Sequence, residues 1–231
     1  VSRELSRMGN DVRFIAPEHF RTIPCPSYPS IPLALFPGRR VKRMLNRIQP
    51  DAIHVATEGP IGNAARRYCV KNNISFTTSY HTQFPEYIKA RIPIPLSWSY
   101  AYIKRFHDKA AHTFVPTNHM KQHLEQYGFK NVVLWSRGVD SSIFKPGDKD
   151  FLKLERPIYV HMGRIAVEKN IDAFLSLDLP GSKLVVGDGP YLEKLKQKFP
   201  DVHYTGYKFG EELAAYIAAS DVFVFPSLTD T

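Results

Sequence analysis

At 231 residues and 26.4 kDa, with 43% hydrophobic and 23% charged residues, the chain suffices for one large α/β domain or two modest ones and is neither a mini-protein nor a disordered segment. Its two cysteines, Cys25 and Cys69, exclude a disulfide framework or an all-cysteine zinc site and point to a reducing, cytoplasmic setting, and no apolar run reaches the roughly 20 residues of a membrane-spanning helix. The net charge of +9 is uneven: residues 1–140 hold 20 Lys and Arg against 9 Asp and Glu, while residues 141–231 hold 11 against 13, so the first part faces an anionic partner, with membrane lipid, nucleic acid and acidic substrate all open.

Residues 1–8 read as a helix with Val1, Leu5 and Met8 on one face and Gly9 closing it. Short β-branched or aromatic runs predict strands at 12–16, 52–56, 75–79, 113–115 and 132–134. Between them, Ile61, Ala65, Tyr68 and Cys69, and then Met120, Leu124 and Tyr127 before Gly128, have helical spacing. Five prolines from Pro24 to Pro37 predict an extended loop. The second part repeats the grammar, with strands at 158–162, 184–186, 202–204 and 222–225 and helices near 168–178, 190–199 and 211–219. Strands separated by helices predict an α/β protein of two Rossmann-like, doubly wound parallel-sheet domains, 1–140 and 141–231, joined near the Gly- and Pro-flanked stretch 137–147. The opening helix has no strand before it and the chain stops five residues after Pro226, so both domains read as incomplete and the chain as a fragment without turnover. Apolar surface is expected to stay uncovered at Phe14, Phe223 and Phe225.

The richest stretch is His161-Met-Gly-Arg-Ile-Ala-Val-Glu-Lys-Asn170. A strand ends at Met162, Gly163 allows a tight turn, and a helix predicted from Glu168 gathers amide N–H groups with Arg164 and Lys169, an arrangement that suits phosphate. A plain turn with two solvated cations is the alternative. In the next turn Gly187 and Gly189 stand where a ligand approaches strand ends, without the G-x-G-x-x-G spacing of a dinucleotide site. Arg39-Arg-Val-Lys-Arg43, Arg47 and the stretch from Tyr87 through Trp98, Tyr102, Lys104, Arg105 and Phe106 interleave cations with aromatics. This pattern fits either docking on anionic lipid or core aromatics beside solvated cations. His119 and His123, four residues apart, form a two-histidine metal pattern that lacks a third ligand.

In this order, Met8-Gly-Asn-Asp-Val-Arg-Phe-Ile-Ala-Pro17, Ser79-Tyr-His-Thr-Gln83, Gly138-Val-Asp140, the two glycine turns, Thr205-Gly-Tyr207 and Phe223-Val-Phe-Pro-Ser227 resemble the retaining glycosyltransferases of family four, which have the two-domain GT-B fold. Leu134-Trp-Ser-Arg-Gly-Val-Asp140 and Ser79-Tyr-His-Thr are most similar to the branch that makes membrane glycolipids, including sulfoquinovosyl- and mannosyl-transferases. The resemblance implies a UDP- or GDP-sugar donor, a lipid or glycan acceptor, no metal or other cofactor, no nucleic acid, and a cytoplasmic protein peripheral on the membrane. It implies that Arg164 and Lys169 hold the donor diphosphate, that His81 contacts the donor sugar, that Gly206 and Tyr207 receive the base, and that Asp230 stands for the first acid of a paired-carboxylate motif. From the residues alone, His81 is equally a strand-end histidine satisfied by backbone and Tyr207 a packing residue. A nicotinamide-dependent oxidoreductase and a basic, non-catalytic binding module are the competing readings.

Overall fold

The computed structural model describes residues 1–26, 28–81, 85, 95–136 and 138–227, side chains of 28–30 excepted. It divides into two compact units, Val1–Ser136 and Arg137–Asp230.

The N-terminal unit opens with α1 (Ser2–Arg7), a hairpin of β1 (Thr22–Cys25) and β2 (Tyr28–Ala34), and α2 (Gly38–Ile48). A four-stranded parallel sheet follows, in the order β3 (His54–Val55), β4 (Thr77–Ser79), β5 (His112–Val115) and β6 (Val132–Leu134). Its crossovers include α3 (Pro60–Lys71), α4 (Leu96–His107) and α5 (Asn118–Gln126). These helices pack on the sheet face that carries Val55, Val115 and Val132, burying Cys69, Phe106, Tyr100, Ile103, Met120 and Leu124. Local chemistry fixes each helix. Thr117 Oγ1 accepts from the Met120 amide at 3.2 Å and starts α5, and Gly128, at φ +79°, ends the turn after it. Gly62 lets α3 approach β3, since a Cβ there would lie 1.9 Å from the Thr57 carbonyl. The last carbonyls of α4 are met by Arg66, which donates to Phe106 and Arg105, and by Asn131, which donates to His107.

The C-terminal unit holds a second parallel sheet, ordered β10 (Val222–Phe223), β7 (Ile158–Met162), β8 (Ser182–Val186) and β9 (His203–Tyr204). Alternation along β8 sends Val185 to a core with α6 (Ile171–Leu175) and α7 (Leu192–Lys198), and Leu184 and Val186 to the other face with Leu213 and Tyr216 of α8 (Gly210–Ala219). Helices cover both faces, as doubly wound topology requires.

Three expectations are corrected. Residues 12–16 form no strand: a strand needs a ladder, and among the described residues nothing pairs with this stretch, leaving Phe14 63% exposed. Phe223 and Phe225 are exposed too, as anticipated. The proline-rich stretch is no loop but the β1–β2 hairpin, in which Pro24 stands opposite Pro32 where no ladder hydrogen bond is required. The basic run 39–47 is helical: α2 buries only Val41 and Leu45 and leaves Arg39, Arg40, Lys42, Arg43 and Arg47 in solvent. The helix predicted at 168–178 is broken into a 3₁₀ turn, Val167–Lys169, and α6, with Asn170 between them at φ 52°. In α4 the aromatics divide, Phe106 buried and Trp98 72% exposed.

Leu195 is fully buried in the larger core of the C-terminal unit. Leu195→Ala is expected to lower unfolding stability by about 2–5 kcal/mol, measured by urea denaturation.

Candidate functional site

In open parallel sheets a ligand binds beyond the carboxyl ends of the strands, where βα turns present backbone amides. In the C-terminal unit three such turns are joined backbone to backbone. The Gly163 amide donates to the Val186 carbonyl at 3.0 Å, the Ile165 amide to the Asp188 carbonyl at 2.9 Å, and the Gly187 amide to the Gly206 carbonyl at 2.9 Å. The structure thus brings Gly163, Gly187, Gly189 and Gly206 together, but for two different reasons. A Cβ on Gly187 would sit 1.9 Å from the Gly163 carbonyl oxygen, and one on Gly189 would sit 2.2 Å from that of Ile165. These two are glycine because neighbouring backbone occupies the side-chain volume, which replaces the ligand approach anticipated for them. Gly163 and Gly206 have φ of +152° and +71° with open space where a Cβ would be, apart from His161 Nε2 at 3.8 Å from Gly163. At those positions a ligand can reach the backbone.

Arg164 and Lys169 both lie in the stretch after β7, but not at one helix N-terminus: Lys169 closes the 3₁₀ turn, and α6 begins only after Asn170. Arg164 Nη2 donates to Glu168 Oε1 at 2.9 Å, an ion pair that holds the guanidinium across the turn. Asn170 Nδ2 donates to the Pro226 carbonyl, and His161 Nδ1 to that of Val224, which tie the turn and β7 to the segment after β10. Tyr207 is 55% exposed and stacks on Phe209 with ring centroids 5.8 Å apart, so it is not a packing residue of the sheet end. Asp230 lies outside the described residues, as does Tyr87.

In the N-terminal unit His81 follows β4 by two residues and is half-buried at the carboxyl end of the sheet. His54, which the sequence reading passed over, lies on the neighbouring strand with its ring against Phe114 (5.9 Å) and Trp135 (6.4 Å). Burial of the His54 ring, and secondarily the charge of His81, hold its pKa below the ordinary histidine value. Sequence offered one hint of polar function here: the Thr-Thr-Ser composition of an interior strand. His123 Nε2 lies 2.7 Å from Tyr100 Oη, and among the described residues no third metal-ligating side chain joins His119 and His123.

Residues 1–143 match the family model of Glycosyltransferase Family 4. The chain belongs to that family. Residues 156–231 match a second model, Glycosyl transferases group 1. The chain is 32% identical to the sulfoquinovosyl transferase SQD2 of Arabidopsis thaliana over 99% of its own length and 51% of that protein. It is 30% identical to a GDP-mannose-dependent alpha-mannosyltransferase of Corynebacterium glutamicum over 91% of its own length and 53% of that protein. The chain therefore spans about half the length of these curated relatives. Among solved structures, Anabaena HepE in complex with UDP superposes with a TM-score of 0.64 at 13% identity, covering 98% of this chain and 63% of that one. The fold is the GT-B α/β fold that the family-four motifs imply.

Gly187→Ala is expected to destabilise the C-terminal unit by more than about 2 kcal/mol, because backbone must move, whereas Gly206→Ala should cost about 1–2 kcal/mol for its left-handed conformation alone. Urea unfolding of the two variants side by side checks the difference.

Proposed function

We propose that this chain is part of a retaining glycosyltransferase that moves a sugar from a UDP- or GDP-linked donor to a lipid or glycan hydroxyl, without a metal. The observation that carries this reading is the interlocked set of βα turns, in which Gly163 and Gly206 leave backbone open and the turn after β7 carries Arg164 and Lys169. A donor diphosphate fits there. The names of the relatives, one sulfoquinovosyl and one GDP-mannose-dependent, support a nucleotide-sugar donor.

The chemistry follows from charge. Breaking the bond between the anomeric carbon and the donor phosphate oxygen leaves the electron pair on that oxygen, while the acceptor hydroxyl bonds the anomeric carbon and loses its proton. Arg164 and Lys169 stabilise the charge on the departing nucleoside diphosphate, and preorganised cations do so without reorganising as charge develops. Gly163 and Gly206 bring backbone to the diphosphate and nucleotide, with Gly187 and Gly189 bracing the turns, and Tyr207 lies beside the base. His81 contacts the donor sugar, and Asp230 serves as one acid of a carboxylate pair. The exposed cations of α2 support an anionic membrane surface as the setting of the acceptor. Among the described residues no helix is long and apolar enough to cross a membrane.

In the full-length protein, Arg164→Ala or Lys169→Ala is expected to lower kcat on the order of 10²-fold, with activity surviving chelation by EDTA. Near wild-type turnover in either variant would remove the leaving-group role from that residue, and loss of activity in EDTA restored by Mg²⁺ would replace the metal-free mechanism. Titration with UDP, GDP and NAD should raise the melting temperature with a nucleoside diphosphate and not with NAD.

A second expectation concerns α2. Binding to anionic vesicles should exceed binding to neutral ones, weaken as salt rises, and fall in Arg40→Glu/Arg43→Glu. Equal binding to both vesicle types would leave α2 as an ordinary solvated helix.

A further inference from the structure

Interior strands of a parallel sheet are ordinarily apolar, because helices cover them. β4 lies between β3 and β5 and reads Thr77-Thr78-Ser79, with Thr78 fully buried and Ser79 1% exposed. Buried hydroxyls need partners, and on β4 they are met from both faces by histidines distant in sequence. On one face His54 Nδ1 lies 2.9 Å from Thr77 Oγ1 and its Nε2 3.0 Å from Ser79 Oγ. On the other face the fully buried His107 has Nδ1 2.8 Å from Thr78 Oγ1, which is itself 3.1 Å from Thr113 Oγ1 on β5. His107 Nε2 in turn lies 3.1 Å from Glu58 Oε1, a carboxylate 8% exposed at the turn into α3. Beyond the gripped residues come the buried Tyr80 and then His81.

Stability alone does not call for this arrangement. A buried charged or polar network contributes little over apolar side chains of the same volume, but its bonds are directional. Apolar residues would let the strand end settle wherever packing allows, whereas hydrogen bonds from both faces fix its height and rotation. We infer that His54 and His107 are positioning residues, which grip β4 from its two faces and so present His81 at the strand end in one fixed orientation. The inference rests on the proposed contact of His81 with the donor sugar.

The test uses the full-length enzyme. Ser79→Ala removes the His54 bond nearest His81 and leaves the one to Thr77, and the isosteric Thr78→Val releases the strand from His107; if Thr78→Val fails to fold, Ser79→Ala decides alone. Each is expected to lower kcat by roughly ten- to a hundredfold, the scale of small misplacements, while donor KM changes by less than about twofold. Combined with His81→Ala, neither should cause further loss, because both act through that side chain. Unchanged kcat, or losses that multiply with that of His81→Ala, would overturn the inference. If His81→Ala itself retains wild-type kcat, the contact with donor sugar is refuted, and positioning is then judged by the NMR resonances of the His81 ring. Those should shift in Ser79→Ala and Thr78→Val, and identical resonances would refute the grip.

Discussion

In the C-terminal unit, three loops are bonded main chain to main chain, two of them so closely that Gly187 and Gly189 have no room for a side chain. The amide of Gly163 reaches Val186, that of Ile165 reaches Asp188, and that of Gly187 reaches Gly206, so the turns after β7, β8 and β9 are fixed to each other by main-chain bonds. Main chain is the stiffest material a protein has, and its hydrogen bonds do not depend on rotamers. Gly163, Arg164 and Gly206 therefore sit on a platform set by the sheet itself. Arg164, whose side chain must otherwise be ordered at an entropic cost, starts from that platform and is steadied further by Glu168.

The N-terminal unit solves a similar problem by other means. Its sheet ends in Tyr80 and His81, and the strand that carries them is held by side chains, not by interlocking turns. Side-chain anchors draw on distant parts of the chain: His54 on β3, His107 at the end of α4, Glu58 before α3. Arg66 and Asn131 fix the last carbonyls of α4, so His107 arrives on a rigid support.

Sequence disclosed what depends on neighbours in the chain. The runs at 132–134 and 158–162 coincide with β6 and β7, because β-branched residues that alternate or cluster are strands wherever a sheet receives them. Residues 12–16 have the same composition and form none, since a strand exists only through its ladder. The signal for α2 was present, since Val41, Met44, Leu45 and Ile48 recur at helical spacing, but the five cations among them read first as charge. In the βα turns, the motif residues Gly163, Arg164 and Gly206 were legible as candidates. The separate duties of Gly187 and Gly189 were not, because a volume conflict between two turns is invisible to either. His54 and His107 escaped for the same reason, with partners 23 to 49 residues away.

The facing prolines of the hairpin carry one more implication. A two-stranded ribbon exposes two edges, and Ile23 and Ile31 add apolar surface to them, the combination that invites a further strand from another molecule. At a non-hydrogen-bonded pair the main-chain groups point outward, so Pro24 and Pro32 delete the outward amide on each edge at the same height. An incoming strand finds no donor there on either side. The ribbon thereby interrupts templated growth at that height on both edges at once.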